Sequence, residues 1–168
     1  LKTTRLRSCK VDYIFDIDGT LLDITHRLKF ITGPNEQYDT AKKDWKSFRD
    51  PKQKRWDEPI MEVINILVAL RAAGNRVIIL SGRTKNEEAD TRDTLRTWIP
   101  DIDDIPMYMR SDRDRRKDYL TKSDLLDKVR ADGYDPKMVF DDRPSVITMW
   151  HVKGLRVADV RDPTKGDF

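Results

Sequence analysis

Short apolar runs alternate along this chain with longer, charged segments whose apolar residues recur at helical spacing. Val11 to Phe15 is the first run and reads as a buried strand, broken by Gly19-Thr20. From Asp23 to about Glu58 the chain is polar and basic without a strong period. Thr32-Gly33-Pro34-Asn35 and Asp50-Pro51 read there as turns, so short helices and loops inserted after the first strand are expected. A clear helix follows, with Asp57 or Glu58 as cap, Pro59 in its first turn, a stripe of Ile60, Ile64, Leu67 and Leu70, and Gly74 at its end. Arg76 to Leu80 is an uninterrupted β-branched strand. Further along, helices are predicted from near Lys85 to Trp98, from Thr121 or Ser123 to Gly133, and from Pro144 to Gly154. Strands are predicted at Ile105 to Met109, Lys137 to Phe140 and Leu155 to Val160.

Strand and helix in alternation predict an α/β fold, a doubly wound (Rossmann-like) parallel sheet with right-handed crossovers, as one domain over residues 1–168 with a small basic insertion at 23–58. Ligands of such sheets bind beyond the carboxyl ends of the strands. Polar groups sit at those ends: Asp16 and Asp18 after the first strand, Ser81-Gly82-Arg83 after the second, the charged run from Arg110 to Asp118, and Asp141-Asp142-Arg143.

The 168 residues are 38% hydrophobic and 38% charged, which fits a folded, heavily charged chain, and a net charge of +3 says little about partners. Cys9 is the only cysteine, so no intrachain disulfide forms and a reducing compartment is expected. No apolar run reaches spanning length and no signal-like start is present, so a cytoplasmic location without membrane contact is expected, that of the host cell if the chain is phage-encoded. Leu1 in place of Met points to an excised or processed chain.

The chemistry is concentrated in the carboxylates. Two carboxylates about 6 Å apart repel by roughly 3 kcal/mol at an effective dielectric near 20. Asp16 and Asp18 are therefore costly unless a cation lies with them, and Asp141 and Asp142 add to the demand. Clustered carboxylates suit a hard, oxygen-ligated cation, Mg²⁺ where phosphate is the co-ligand. The Ser81 hydroxyl, the backbone N–H groups at Gly82 and the charge of Lys122 would receive an anion. Cation, anion pocket and free carboxylate together describe phosphoryl transfer to Asp.

Asp16-Ile17-Asp18-Gly19-Thr20, Ser81-Gly82-Arg83, Lys122 and Asp141-Asp142-Arg143 stand in the order of the four motifs of the haloacid dehalogenase-like (HAD) phosphohydrolases. From Lys10 to Phe168 the chain resembles most closely the 3′-phosphatase domains of phage T4-type polynucleotide kinase-phosphatases, including its closing Gly166-Asp167-Phe168. That resemblance implies Asp16 as nucleophile and Asp18 as general acid and base. It implies Mg²⁺ on Asp16, Asp141, Asp142 and the backbone carbonyl of Asp18, and Ser81, Gly82 and Lys122 on the phosphoryl oxygens. Arg27, Arg83 and Arg143 would contact substrate or fix carboxylates. The substrates implied are 3′-phosphorylated DNA or RNA ends or nucleotides. The relatives' kinase domain carries a phosphate-binding G-x-x-x-x-G-K-[ST] loop that this sequence lacks, so the chain is expected to be either an excised domain, with a kinase domain or subunit supplied elsewhere, or a stand-alone phosphatase, and no 5′-kinase activity is expected here.

Two other readings stand beside it. One is a nucleotidase or small-molecule phosphatase of the same superfamily, and the other a catalytically silent module that binds nucleic-acid ends. Asp118 reads equally as catalytic or as a partner of Arg116 or Lys122. His26, His151, Trp98 and Trp150 read as surface or packing residues. Trp45 and Trp56 lie among Lys42, Lys43, Lys46, Arg49, Lys52, Lys54 and Arg55, a composition suited to a nucleic-acid strand. A tryptophan that anchors a solvated helix to the core is the slightly favoured alternative.

Overall fold

The computed structural model describes residues 10–32 and 43–164. Cys9, the basic lead-in before Lys10, most of the turn at 32–35, Lys42 and the closing Gly166-Asp167-Phe168 lie outside the described residues.

The chain runs β1 (Asp12–Phe15), β2 (Leu22–Asp23), α1 (Thr25–Leu28), α2 (Trp45–Phe48), α3 (Pro51–Lys54), β3 (Glu58–Pro59) and α4 (Met61–Ala72). It continues through β4 (Arg76–Thr84), α5 (Glu88–Leu95), β5 (Met107–Arg110), α6 (Asp118–Ala131), β6 (Pro136–Asp141), α7 (Pro144–Val152) and β7 (Arg156–Asp159). Five strands form one parallel sheet in the order β5-β4-β1-β6-β7. Alternate residues of each strand face opposite sides. Phe15, Val77, Ile79, Met107 and Phe140 pack with α4 and α5, and the Phe15 and Phe140 rings stack 4.3 Å apart. On the other face Ile14, Ile78, Leu80 and Val139 pack with Leu125, Leu126 and Val129 of α6 and with Val146 and Trp150 of α7. Helices cover both faces, which is why the strands carry uninterrupted apolar runs. This is the doubly wound α/β fold that the alternation predicts.

The chain fills β4 and β5 on one side of β1 and then crosses to fill β6 and β7 on the other. The direction of filling reverses beside β1, and a crevice opens above the carboxyl ends of β1 and β6. Asp16 and Asp141 stand at these two ends.

Local sequence signals misplace several boundaries. β4 continues through Ser81-Gly82-Arg83 to Thr84 by bulging, since Ser81 pairs Met109 while Thr84 pairs Arg110. α6 starts at Asp118, ahead of Thr121. α5 stops at Leu95, so Trp98 packs on the core from a turn. Asp50-Pro51 opens α3: the Asp50 carboxylate accepts from the Lys52 N–H at 2.9 Å, and Pro51 takes the first helical position. Neither Asp57 nor Glu58 caps α4, whose N-cap is Ile60. Glu58 and Pro59 instead pair antiparallel with Asp23 and Leu22 as β3 against β2. That two-residue ladder ties the start and end of the inserted segment together beside the crevice. No helix among the described residues is long and apolar enough to cross a membrane.

Candidate active site

Backbone geometry delivers the acidic groups. Asp16 follows β1 directly, with its N–H on the Phe140 carbonyl at 3.1 Å, so β1 and β6 stay paired to the edge of the crevice. The loop then reverses through Gly19, whose φ of +84° is left-handed. A Cβ at Gly19 would fall on the Asp142 carboxylate, closer than the 3.0 Å that real Cβ atoms tolerate. Glycine there lets Asp142 reach Asp16 and Asp141. Oxygens of Asp16, Asp141 and Asp142 lie within 4.8 Å of one another, and all three residues are buried.

Lys122, 1% exposed on α6, is the ammonium of this trio. Its Nζ lies 2.9 Å from Asp16 Oδ2, 2.9 Å from Asp141 Oδ2 and 3.6 Å from Asp118 Oδ2. Burial works against its charge, but Asp141, Asp16 and Asp118 outweigh that and raise its pKa. Trp150 donates its indole N–H to Asp141 Oδ2 at 3.0 Å, and the Arg143 N–H reaches Asp141 Oδ1 at 3.1 Å. Trp150 is thus a core residue with a polar task. Lys122 and Arg143, both shared with Asp118, do not neutralise the three carboxylates. Burial, with Asp141 next, pushes Asp142 up to about 7. Burial also raises Asp16; Lys122 opposes this, while Asp141, Asp142 and Asp118 add to it. A buried, oxygen-only, under-neutralised trio fits a hard divalent cation, which would favour the ionised forms of Asp16 and Asp142.

The Asp18 carboxylate is separate from this trio. It accepts from Arg27 Nη2 at 2.7 Å and from Arg83 Nε at 3.0 Å. Burial alone would raise Asp18, but Arg83 and then Arg27 outweigh it and hold the carboxyl far below its usual range. The side chain of Asp57, fully buried, accepts from Arg27 Nε at 2.8 Å, Arg27 Nη2 at 3.0 Å and Arg83 Nη2 at 2.8 Å. Two arginines and two carboxylates thus form a closed square. Arg27 also lies 4.4 Å above the Phe48 ring, so the inserted segment packs on the square. Arg27 and Arg83, which the sequence offers for substrate contact, are occupied here in fixing Asp18.

Ser81, 1% exposed, sits in the β4 bulge, where its Oγ accepts from the Arg83 N–H at 3.2 Å. A Cβ on Gly82 would clash with Asp118 Oδ1. Asp118 accepts from Arg110 Nη2 at 2.9 Å and Arg143 Nη1 at 3.2 Å. Burial tends to raise it, but Lys122, Arg143 and Arg110 hold it down. Its partners are therefore Arg110, Arg143 and Lys122; Arg116 pairs instead with Asp114 and Asp124. A cleft of about 430 Å³ is lined by Asp16, Asp18, Ser81, Gly82 and Arg143, with Arg27 and Arg83 on one wall. The cleft thus gathers Asp16, Asp18, Ser81, Gly82, Arg27, Arg83 and Arg143, with Asp141, Asp142 and Lys122 joined to Asp16 beside it.

Residues 11–168 match the family described as the polynucleotide kinase PNKP phosphatase domain. The chain belongs to that family. Membership makes it a phosphomonoesterase domain of the HAD fold. It is 26% identical, with a TM-score of 0.69, to a chain in a structure of the Pnkp1/Rnl/Hen1 complex, covering 100% of this domain and 53% of that chain. It is 35% identical over 95 residues to a protein of Autographa californica nuclear polyhedrosis virus named as a bifunctional polynucleotide kinase/RNA ligase, covering 56% of this domain and 14% of that protein. The domain therefore spans about half, or less, of these relatives' lengths. A class C acid phosphatase of Bacillus anthracis with tungstate bound shares the fold at a TM-score of 0.60 and 15% identity, covering 94% of this chain and 68% of that one.

Sequence reasoning missed Asp57, Arg110 and the polar role of Trp150. Asp57 precedes Glu58-Pro59 and imitates a helix cap, and no local signal marks it as buried. Arg110 is hidden in a run of charges, most of which are exposed. His26 is half-buried, its ring Nε2 3.0 Å from the Gln53 carbonyl oxygen and 3.6 Å from Asp57 Oδ1. Trp45 and Trp56 do not anchor helices to the core: they are 44% and 64% exposed, and Trp45 lines the cleft.

Proposed function

We propose that this domain is a Mg²⁺-dependent phosphohydrolase that works through an aspartyl-phosphate and removes 3′-phosphates from DNA or RNA ends. The observation that carries the reading is the cluster of Asp16, Asp141 and Asp142 within 4.8 Å, with Lys122 between Asp16 and Asp141, beside a cleft that Asp16, Asp18 and Ser81 line. Asp16, Asp141, Asp142 and the backbone carbonyl of Asp18 would hold Mg²⁺, which when bound offsets charge on the phosphoryl oxygens.

Asp16 attacks phosphorus: its bond to phosphorus forms as the bond to the 3′-oxygen breaks, and Asp18 gives that oxygen a proton. Water then attacks phosphorus, Asp18 takes its proton, and the Asp16–phosphorus bond breaks to free phosphate. Ser81, the Gly82 backbone and Lys122 bind the phosphoryl oxygens through both steps. Between its two arginines Asp18 is a carboxylate, the form the water step requires. The leaving-group step requires that grip to loosen when substrate enters, and an incoming phosphate competes for the same arginines. The 3′ end as substrate is supported by the family and by the basic walls of the cleft. The names of the relatives support kinase and ligase activities supplied by another segment or chain.

The test compares phosphate release from a 3′-phosphorylated oligonucleotide, its 5′-phosphorylated isomer, a 3′-mononucleotide and an aryl phosphate, with Mg²⁺ or with EDTA. The 3′-phosphorylated strand should react fastest, only with Mg²⁺, and Asp16→Asn should be inactive. Equal release by wild type and Asp16→Asn would assign the activity to a contaminant, and faster release from the 5′ isomer or the aryl phosphate would reject the 3′-end reading.

A further inference from the structure

The acidic trio touches two cavities of opposite charge. Asp16 lines the cleft of about 430 Å³, where nine cationic side chains stand against four carboxylates. Asp142 lines a separate cavity of about 270 Å³, formed by Gly19, the β2–β3 ladder, the start of α4, Pro144 and the residues after β7. There the carboxylates of Asp23, Glu58, Glu62, Asp142 and Asp162 face one cation among the lining residues, Arg161, whose guanidinium also lies 2.6 Å from Asp159. The phosphoryl chemistry has no use for this second, acidic cavity.

Its shape leads from solvent to the trio. Glu58 and Glu62 are exposed, Asp23 is half-buried, and Asp142 is 5% exposed. Asp23 stands directly opposite Glu58 in a ladder only two residues long. Like charges directly opposite each other destabilise a strand pair, and a passing cation relieves them. Ile24, Pro59, Ile60, Pro144 and Val160 supply apolar walls. A cleft lined by one sign of charge, with walls of low dielectric, focuses the field and concentrates counter-ions. The same physics at the basic cleft attracts a phosphorylated strand and repels a cation. A hydrated divalent ion bound for the trio is therefore opposed on one side and drawn in on the other.

We infer that the acidic cavity is the port through which a divalent cation reaches and leaves Asp16, Asp141 and Asp142, drawn by Asp23, Glu58 and Glu62, while the phosphorylated end uses the basic cleft. The inference rests on the metal-dependent reading of the trio and adds the route to it. Ion and strand then arrive from different sides, so each exchanges while the other is bound.

The experiment follows Mn²⁺ binding to the substrate-free domain by stopped-flow. Mn²⁺ suits the same oxygen ligands, and as a paramagnetic ion it quenches the indole of Trp150, which is bonded to Asp141 at 3.0 Å. Wild type is compared with Glu58→Gln/Glu62→Gln, with Thr25→Phe, which adds a ring at an exposed wall position of the cavity, and with Lys117→Gln, which removes a cation from the cleft. At ~10 mM salt, where charges act over about 30 Å, the double variant should bind about tenfold more slowly, the low end of the effect of steering. At ~1 M salt, where that range is about 3 Å, the difference should vanish. Thr25→Phe should slow association and dissociation alike and leave Kd within about twofold, as expected of an obstacle on a path. Lys117→Gln should bind at the wild-type rate. A double variant that binds as fast as wild type at low salt, with Lys117→Gln faster, would route the ion through the cleft; it would overturn the inference and leave the metal-dependent phosphatase reading intact. Equal quenching in wild type and Asp141→Asn would place the ion elsewhere and sink both. Circular dichroism of each variant confirms that the fold is kept.

Discussion

Asp57 gives the sharpest test of how this site is held. Its carboxylate, with a side-chain exposure of 0%, takes three charge-assisted hydrogen bonds of 2.8 to 3.0 Å from Arg27 and Arg83, themselves 0% and 4% exposed at their side chains. In Asp57→Ala two buried guanidinium groups would share the single charge of Asp18. Removing one partner of a buried pair costs about 3–5 kcal/mol, because the charge left behind is uncompensated. Solvent screening offers no discount where nothing is exposed. For a domain of this size each kcal/mol moves the melting temperature by about 2–4 °C, so the midpoint should fall by roughly 6–20 °C. Urea unfolding followed by tryptophan fluorescence should show a lower midpoint at unchanged slope, which marks lost stability without a change in the unfolded state. Asp57→Asn keeps the volume and one acceptor and should fall between. Glu58→Ala, one residue along and exposed, should stay within about 0.5 kcal/mol of wild type. If Asp57→Ala unfolded within about 1 kcal/mol of wild type, the square of charges would be no structural element, and the account of Asp18 given above would fail with it.

The remaining expectations follow from the same geometry. Gly19→Ala should lower activity at least a hundredfold and reduce stability by about 1–2 kcal/mol, since the left-handed backbone is strained by a side chain and the added methyl displaces Asp142; wild-type rates in purified Gly19→Ala would contradict this. Millimolar Mg²⁺ should raise the thermal midpoint of wild type and not of Asp141→Asn, because an ion that binds only the folded state stabilises it by mass action. An equal shift in both would place the ion elsewhere. The carboxyl of Asp18 is depressed in the fold, so its stabilising contribution is complete above the unfolded value near 3.9 and is lost as pH falls through that value towards the folded one. The stability difference between wild type and Asp18→Asn should therefore be constant from about pH 5 to 8 and shrink below pH 4. A difference that grew on acidification would reverse the assigned shift.

The sequence alone determined the order of the main-sheet strands and helices, the side of the sheet on which the chemistry lies, and the carboxylates, serine and lysine that meet there. Those signals are local: an apolar run marks a covered strand, and an acidic or small residue at its end marks a rim. Asp16, Asp18, Ser81, Lys122 and Asp141 were legible because each lies at or just past the end of an apolar run or sits on the helix that leads to one. What the tertiary structure decided was who partners whom. Asp57 looks like a helix cap until β2 pairs with β3 and carries it beneath Arg27 and Arg83. Arg83 is more than twenty residues from Asp57 and more than sixty from Asp18, yet it binds both. Gly19 reads as a turn former, although its lack of a side chain is required by Asp142, more than a hundred residues away. Trp45 became a cleft wall because Phe48, three residues on, took the buried place beside it. Charge pairing and close approach act across space, between residues that no spacing along the chain brings together, and only folding specifies them.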